Sequence, residues 1–176
     1  MKNIRKRLAT AVIALAVLGS IGVASAATAS STTAKPARCT TGHLQGKLQT
    51  GDGGAAGTVT DRLWLKNTGK HSCTLQGWPG VSFVGHGNGT QIGKAAKMDR
   101  ATVHSTVVIK PGMRVVATLK IAQAANYPIS KCGSRVNADG LRVYPPGSKT
   151  SIFVASAGLS ACSSSSVSLL TVSALR

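Results

Sequence analysis

The sequence contains no glutamate, and its acidic complement is four aspartates, Asp52, Asp61, Asp99 and Asp139, spread along 176 residues. Glycoside hydrolysis by paired carboxyl groups needs two of them close together, and so scattered a set argues against it. No C-x-x-C pair occurs among the four cysteines, whereas structural zinc sites usually draw their thiolates as close pairs. The four histidines, His43, His71, His86 and His104, form no H-x-H, H-x-x-H or H-E-x-x-H pattern, so a metal site would need distant residues to converge. A nucleophile elbow of the G-x-S-x-G type is also missing. Gly80-Val81-Ser82-Phe83-Val84 lacks the second glycine and reads as a strand start. Gly51-Asp52-Gly53-Gly54 lacks the Gly-Lys-Ser/Thr ending of a phosphate loop. These absences predict a protein that is not an enzyme and that carries no cofactor and no metal.

Basic and apolar residues are what the chain does hold. Lys and Arg number 21 against the 4 acids, a net charge of +17, and 43% of residues are hydrophobic. Enough apolar side chains are spread along the length to build one core, which disfavours a disordered chain. The first 26 residues read as a secretory signal peptide: a basic Met-Lys-Asn-Ile-Arg-Lys-Arg start, an apolar stretch from Leu8 to Val23, and Ala24-Ser25-Ala26 as a small-residue cleavage site. A transmembrane anchor would need about 20 predominantly apolar residues, and Thr10, Gly19, Ser20 and Gly22 interrupt this stretch. The first cysteine, Cys39, follows Pro36-Ala37-Arg38 and stands too far downstream to be acylated. The expected product is secreted, extracellular and without a lipid anchor. Cleavage after Ala26 removes Lys2, Arg5, Lys6 and Arg7, leaving 17 basic against 4 acidic residues, a net +13. Residues 27–38 are expected to be a flexible lead-in and residues 39–176 a single domain.

In an exported chain an even cysteine count implies disulfides. Cys39, Cys73, Cys132 and Cys162 allow three connectivities. Cys39 with Cys73 and Cys132 with Cys162 is favoured, because each bridge then closes a loop of moderate length and staples one half of the domain. Each would contribute on the order of 3 to 4 kcal/mol in the chain-entropy picture. Between the cysteines the apolar period is two. Thr58 to Lys66 places Val59, Leu63 and Leu65 in one phase and Thr60, Arg62, Trp64 and Lys66 in the other. Arg114 to Ala122 places Val115, Ala117, Leu119 and Ile121 inward. Shorter runs lie at His43–Gln49, Cys73–Leu75, Val81–Val84, Val107–Ile109, Leu141–Tyr144, Ser151–Ala155 and Val167–Val172, with turn clusters such as Asn67-Thr68-Gly69-Lys70, Lys110-Pro111-Gly112 and Pro145-Pro146-Gly147 between them. Eight or nine short strands with 20 glycines predict an all-β fold, an antiparallel, immunoglobulin-like β-sandwich. Only Ala95–Arg100 and Ile121–Ala125 are candidates for a helical turn.

The run Cys73-Thr74-Leu75-Gln76-Gly77-Trp78-Pro79-Gly80-Val81 adds a resemblance. It is preceded by Leu65-Lys66-Asn67-Thr68-Gly69 and followed by Ile92-Gly93, Pro111-Gly112, Asn126-Tyr127, Cys132 and Leu141-Arg142-Val143-Tyr144-Pro145-Pro146. Together these resemble an actinobacterial exported family known as domain of unknown function 4232. The resemblance covers nearly all of Cys39 to Val172. It implies an envelope or secreted location and a compact β domain, and it transfers no catalytic residue. Members of that family are often lipid-anchored, and this chain departs from them in lacking the anchoring cysteine.

The remaining functional signal is charge dispersed over strands. Arg62, Trp64 and Lys66 share one strand phase, and Arg114 and Lys120 share another. If the two faces adjoin, they form a basic patch with one aromatic, suited to an anionic cell-wall polymer or to acidic lipid headgroups. Lysine and arginine that merely keep a secreted domain in solution are the rival explanation. Specific nucleic-acid binding is not expected, given export and the lack of a motif. Trp78 is expected to cover one end of the core beside Cys73, and Asn88-Gly89-Thr90 to be a turn. A protein-recognition or protease-inhibitor-like domain is the second function class, with Gly85–Gly93 or Lys131–Gly140 as the inserting loop. An uncharacterised enzyme is the third, and it would need Asp61, Asp99 or Asp139 in a cleft with a histidine. N-terminal sequencing of the secreted product is expected to begin at Ala27, and a product beginning at Met1 would contradict the signal peptide.

Overall fold

A computed structural model describes residues 34–101 and 104–176, and the expected signal peptide and residues 27–33 of the lead-in lie outside the described residues. Fourteen strands make up the described chain: β1 Leu44–Gln49, β2 Gly54–Ala55, β3 Thr58–Asn67, β4 Cys73–Gln76, β5 Gly80–Gly85, β6 Thr90–Ile92, β7 Lys97–Met98, β8 Thr106–Ile109, β9 Arg114–Ala122, β10 Arg135–Asn137, β11 Gly140–Tyr144, β12 Ile152–Ala155, β13 Ser160–Cys162 and β14 Leu170–Val172. Helix among the described residues is confined to a single α turn, Ile129–Cys132, and two 3-10 turns, Thr41–His43 and Ala124–Asn126.

The longest ladder joins β3 to β9 in antiparallel register over nine pairs, from Thr58 with Ala122 to Lys66 with Arg114. Strict alternation makes this possible. Leu63, Leu65, Val115, Ala117 and Leu119 are buried on one face while the intervening residues point the other way. β1 and β2 flank β3, and β14 followed by β7 flanks β9. The second sheet runs β12-β11-β5-β6. Its Val81, Phe83, Leu141, Val143 and Val154 share one hydrophobic cluster with Leu63, Leu65 and Leu119. Two sheets packed over a common core form the expected sandwich, and the pairings β1-β3-β9 and β5-β11-β12 follow the A-B-E and C-F-G order of immunoglobulin domains. β14 takes the place beside β9 that strand D holds there.

At one edge the sheets close upon each other. Gly46 of β1 lies so near β12 that a Cβ on it would stand 2.7 Å from Val154 Cγ2, which is why a residue without a side chain interrupts the apolar phase of β1. Two further pairs, β4 with β8 and β10 with β13, carry the disulfides Cys39–Cys73 and Cys132–Cys162, the favoured connectivity. The Cys39 bridge is reinforced by backbone: Cys39 N–H donates to Thr74 O at 3.0 Å and Thr74 N–H to Ala37 O at 2.8 Å. Ala37 and Arg38 are therefore tied to β4.

Two expectations require correction. Ala95–Arg100 makes no helical turn; Lys97–Met98 is a strand running parallel to β14, so the sandwich is not wholly antiparallel. The short strands β2, β6, β7, β10 and β13, and the α turn before Cys132, carry too few residues to show a period. Lys110-Pro111-Gly112 turns the chain as expected, with Gly112 at φ 76°, and carries it from β8 to β9, which lie in different sheets.

One polar residue sits at the junction of these parts. Asn67, last residue of β3, is 1% exposed. Its side-chain amide donates to His71 O at 2.8 Å and Ile109 O at 2.9 Å, and its carbonyl oxygen accepts from Gly69 N–H at 2.9 Å. Its backbone pairs with the β8–β9 turn through Met113 O and Gly112 N–H. Asn67→Ala would leave the buried Ile109 carbonyl and two part-buried backbone groups without their partner, and is expected to lower unfolding free energy by about 2 kcal/mol in chemical denaturation.

Candidate basic face and its surroundings

The outward residues of β3 are Thr60, Arg62, Trp64 and Lys66. Register places them in cross-strand rows: Gln45, Lys66 and Arg114; then Lys47, Trp64 and Val116; then Gln49, Arg62 and Thr118; then Thr60 and Lys120. The last row continues through Thr171 of β14 to Lys97 of β7. Arg176 lies beside Val116, exchanging both backbone hydrogen bonds with it. With two residues per row, Lys66 and Lys120 are about 20 Å apart along the strand direction.

The aromatic at the centre is flanked on both sides. Lys47 Nζ lies 6.0 Å and Arg114 Cζ 5.3 Å from the centroid of the Trp64 ring, so the indole holds a cation from each neighbouring strand. Trp64, Lys66 and Arg114 thus come together as their alternation implied. Arg62 does not join them: its Nε donates to Asp52 Oδ2 at 2.7 Å, the one salt bridge among the described residues. Lys120 stands apart, two rows beyond Trp64, at a hollow of about 390 Å³ shared with Asp99, Thr118, Ser173 and Arg176. Lys47 was hidden from sequence reading because Gly46 breaks the apolar phase of β1. Its period becomes visible only once Leu44, Gly46 and Leu48 are taken together as the inward set.

The aspartates are less isolated than their spacing implied. The β1–β3 connection brings Asp52 beside Asp61, and Asp61 is 1% exposed in the inward phase of β3. Gly51 N–H donates to Asp61 Oδ1 at 3.2 Å. Burial raises the Asp61 carboxyl above its ordinary value, the Gly51 hydrogen bond opposes the rise, and the Asp52 charge adds to it. Asp99 and Asp139 cap backbone: Asp99 accepts from Ala101 N–H at 3.1 Å and Asp139 from Gly87 N–H at 2.8 Å. Arg142 also reaches Gly89 O, so both charged residues clip the Gly85–Gly89 turn.

Trp78 is half-buried as a packed residue should be, but the contacts that fix it come from Asp99, Arg100 and His104. Its Nε1–H donates to Asp99 O at 2.7 Å, His104 meets its ring edge-on at 4.4 Å, and Arg100 lies 5.2 Å from the centroid. His43 and His71 line a hollow of about 410 Å³ beside Cys73, together with Arg38 and Lys70. Among the described residues no three His, Cys, Asp or Glu side chains are grouped as metal ligands. No helix among them is long and apolar enough to cross a membrane.

A family model, Domain of unknown function (DUF4232), matches residues 39–176. The chain belongs to the DUF4232 family. No curated protein and no solved structure matches it. The two disulfides of this DUF4232 domain are consistent with an extracellular protein.

Because the folded-state pKa of Asp61 is raised, the native state binds its proton more tightly than the unfolded chain. Stability from this group is present at low pH and lost as pH climbs from the ordinary value of 3.8 through the folded value. Asp61→Asn removes that loss. The variant is expected to melt above the parent at neutral pH, with the difference shrinking towards pH 3 to 4; a pH-independent difference in Tm would refute the assignment.

Proposed function

We propose that this DUF4232 domain is an exported, non-enzymatic binding module that holds anionic cell-envelope polymer across the outer face of its first sheet. The observation that carries the reading is the pair Lys47 and Arg114 against Trp64, with Lys66 opposite Arg114 in the next row and none of the three in a salt bridge among the described residues. A flat sheet repeats its outward positions at about 7 Å along each strand and about 5 Å between strands. Such a grid suits a chain of regularly spaced phosphates, which can meet several cations at once without a deep pocket. Trp64 supports this by restraining Lys47 and Arg114, which reduces the side-chain entropy lost on contact. Each contact is weak and screened by salt, so affinity comes from their number.

Protein recognition has one observation in its favour. The two candidate loops meet, since Asp139 of Lys131–Gly140 accepts from Gly87 of Gly85–Gly93, and a loop held in this way is preorganised for a partner. A stoichiometric protein partner held equally well at low and high salt would favour that reading.

The test is co-sedimentation of the exported protein with isolated cell walls, with and without their phosphate polymer, and with vesicles of phosphatidylglycerol as a separate arm. Binding to intact walls is expected to fall steeply between low and molar salt, and the double variant Lys66→Glu, Arg114→Glu to weaken it about tenfold at low salt. Retention unchanged by salt or by the double variant would overturn the proposal, and equal binding to stripped walls would exclude the polymer as ligand. Preferential binding to the vesicles would redirect it to lipid headgroups.

A further inference from the structure

The inward face of the same β3–β9 ladder leads to a different feature. At the end of the sandwich where Thr58 pairs with Ala122, a groove of about 500 Å³ opens, a size that accommodates a small organic ligand. Its floor is the cross-strand pair Val59 and Ile121, and the segments Ala122–Ala125 and Ala157–Ser160 form its walls. The lining is apolar but for a few groups, of which Asp61 is the one buried carboxyl.

Asp61 is unusual in what surrounds it. Gly51 N–H supplies one long hydrogen bond to Oδ1, and among the described residues no other donor reaches the carboxyl. Arg135 also lines the groove, yet its guanidinium is committed elsewhere, donating to Ala124 O at 3.2 Å, Ala125 O at 3.3 Å and Tyr127 O at 3.0 Å. Those bonds hold up the Ala124–Asn126 wall and leave Asp61 without a cation. Arg62, the next residue, points to the opposite face and binds Asp52. No Lys or Arg among the described residues forms a salt bridge with this most buried of the acids, although a buried carboxylate is costly unless it is paired.

We infer that the groove binds a small molecule with an apolar body and one primary ammonium group, the ammonium donating to Asp61 while the body lies on Val59 and Ile121. An ammonium supplies the ion-pair partner and the donors that Asp61 lacks, and the apolar floor supplies burial for the remainder. A carboxylate-bearing ligand of the same shape would meet Asp61 with like charge. The groove lies on the inward side of the sheet whose outer side carries the basic face, so the inference stands or falls independently of polymer binding.

The test is an NMR titration of the isotope-labelled protein at neutral pH with three probes of one shape: 2-phenylethylammonium, 2-phenylethanol and 3-phenylpropanoate. The amine is expected to shift the backbone signals of Gly51, Val59, Ile121 and Ala124, to bind about tenfold more tightly than the alcohol, and the acid to leave those signals in place. Asp61→Asn, whose retained fold is checked by its melting curve, is expected to bring amine and alcohol to equal affinity. Equal affinities in the parent protein, an amine preference that survives Asp61→Asn, or shifts confined to other surfaces would each overturn the inference.

Discussion

The register of β3 against β9 is the constraint on which the rest of the molecule depends. Nine consecutive pairs oblige every second side chain to face the core and every other to face outward. A slip of β3 by one residue would drive Arg62 and Lys66 inward and expose Leu63 and Leu65, at a cost no turn could offset. Asn67 helps to hold this register at the closed end, where one side chain satisfies three backbone groups from the loops on either side. Both candidate ligand surfaces are consequences of the same ladder. Its outer face gathers cations around Trp64, and its inner face leaves Asp61 in the lining of a groove.

Charge is distributed with the same economy. With no glutamate and four aspartates, the protein has few anions to place, and each is bound into structure. Asp52 holds Arg62, Asp99 and Asp139 receive turn amides, and Asp61 takes one amide from Gly51. Few acids therefore remain to neutralise the lysines and arginines of the outer sheet face. A positive field over that face is the physical outcome, and it would act on any extended anion at the distances salt allows.

The disulfides brace what the central ladder does not reach. Cys39–Cys73 fastens the segment before β1 to β4, and Cys132–Cys162 joins the single α turn to the β10–β13 pair. Each ties a short two-stranded pair to the chain around it, and short pairs are marginal by themselves. Immunoglobulin domains place their bridge between the sheets; here the inter-sheet core is closed by packing, including the close approach at Gly46.

Much of this was legible from residue order alone. Period-two alternation is a local property, so β3, β9 and most other strands could be placed from the residues, and with them the sandwich. The cysteine spacing favoured the pairing that is found. Side-chain phase correctly assigned Trp64, Lys66 and Arg114 to outward faces, but phase does not say which strand lies beside which. That depends on non-local pairing, and tertiary structure alone put Lys47 against Trp64, withdrew Arg62 to Asp52 and turned Lys97 into an edge strand. Asp61 shows the limit most clearly. Its phase was that of Leu63 and Leu65, yet a buried carboxyl at an inward position acquires meaning only from what packs above it, and that was decided by a connection and two turns distant in sequence.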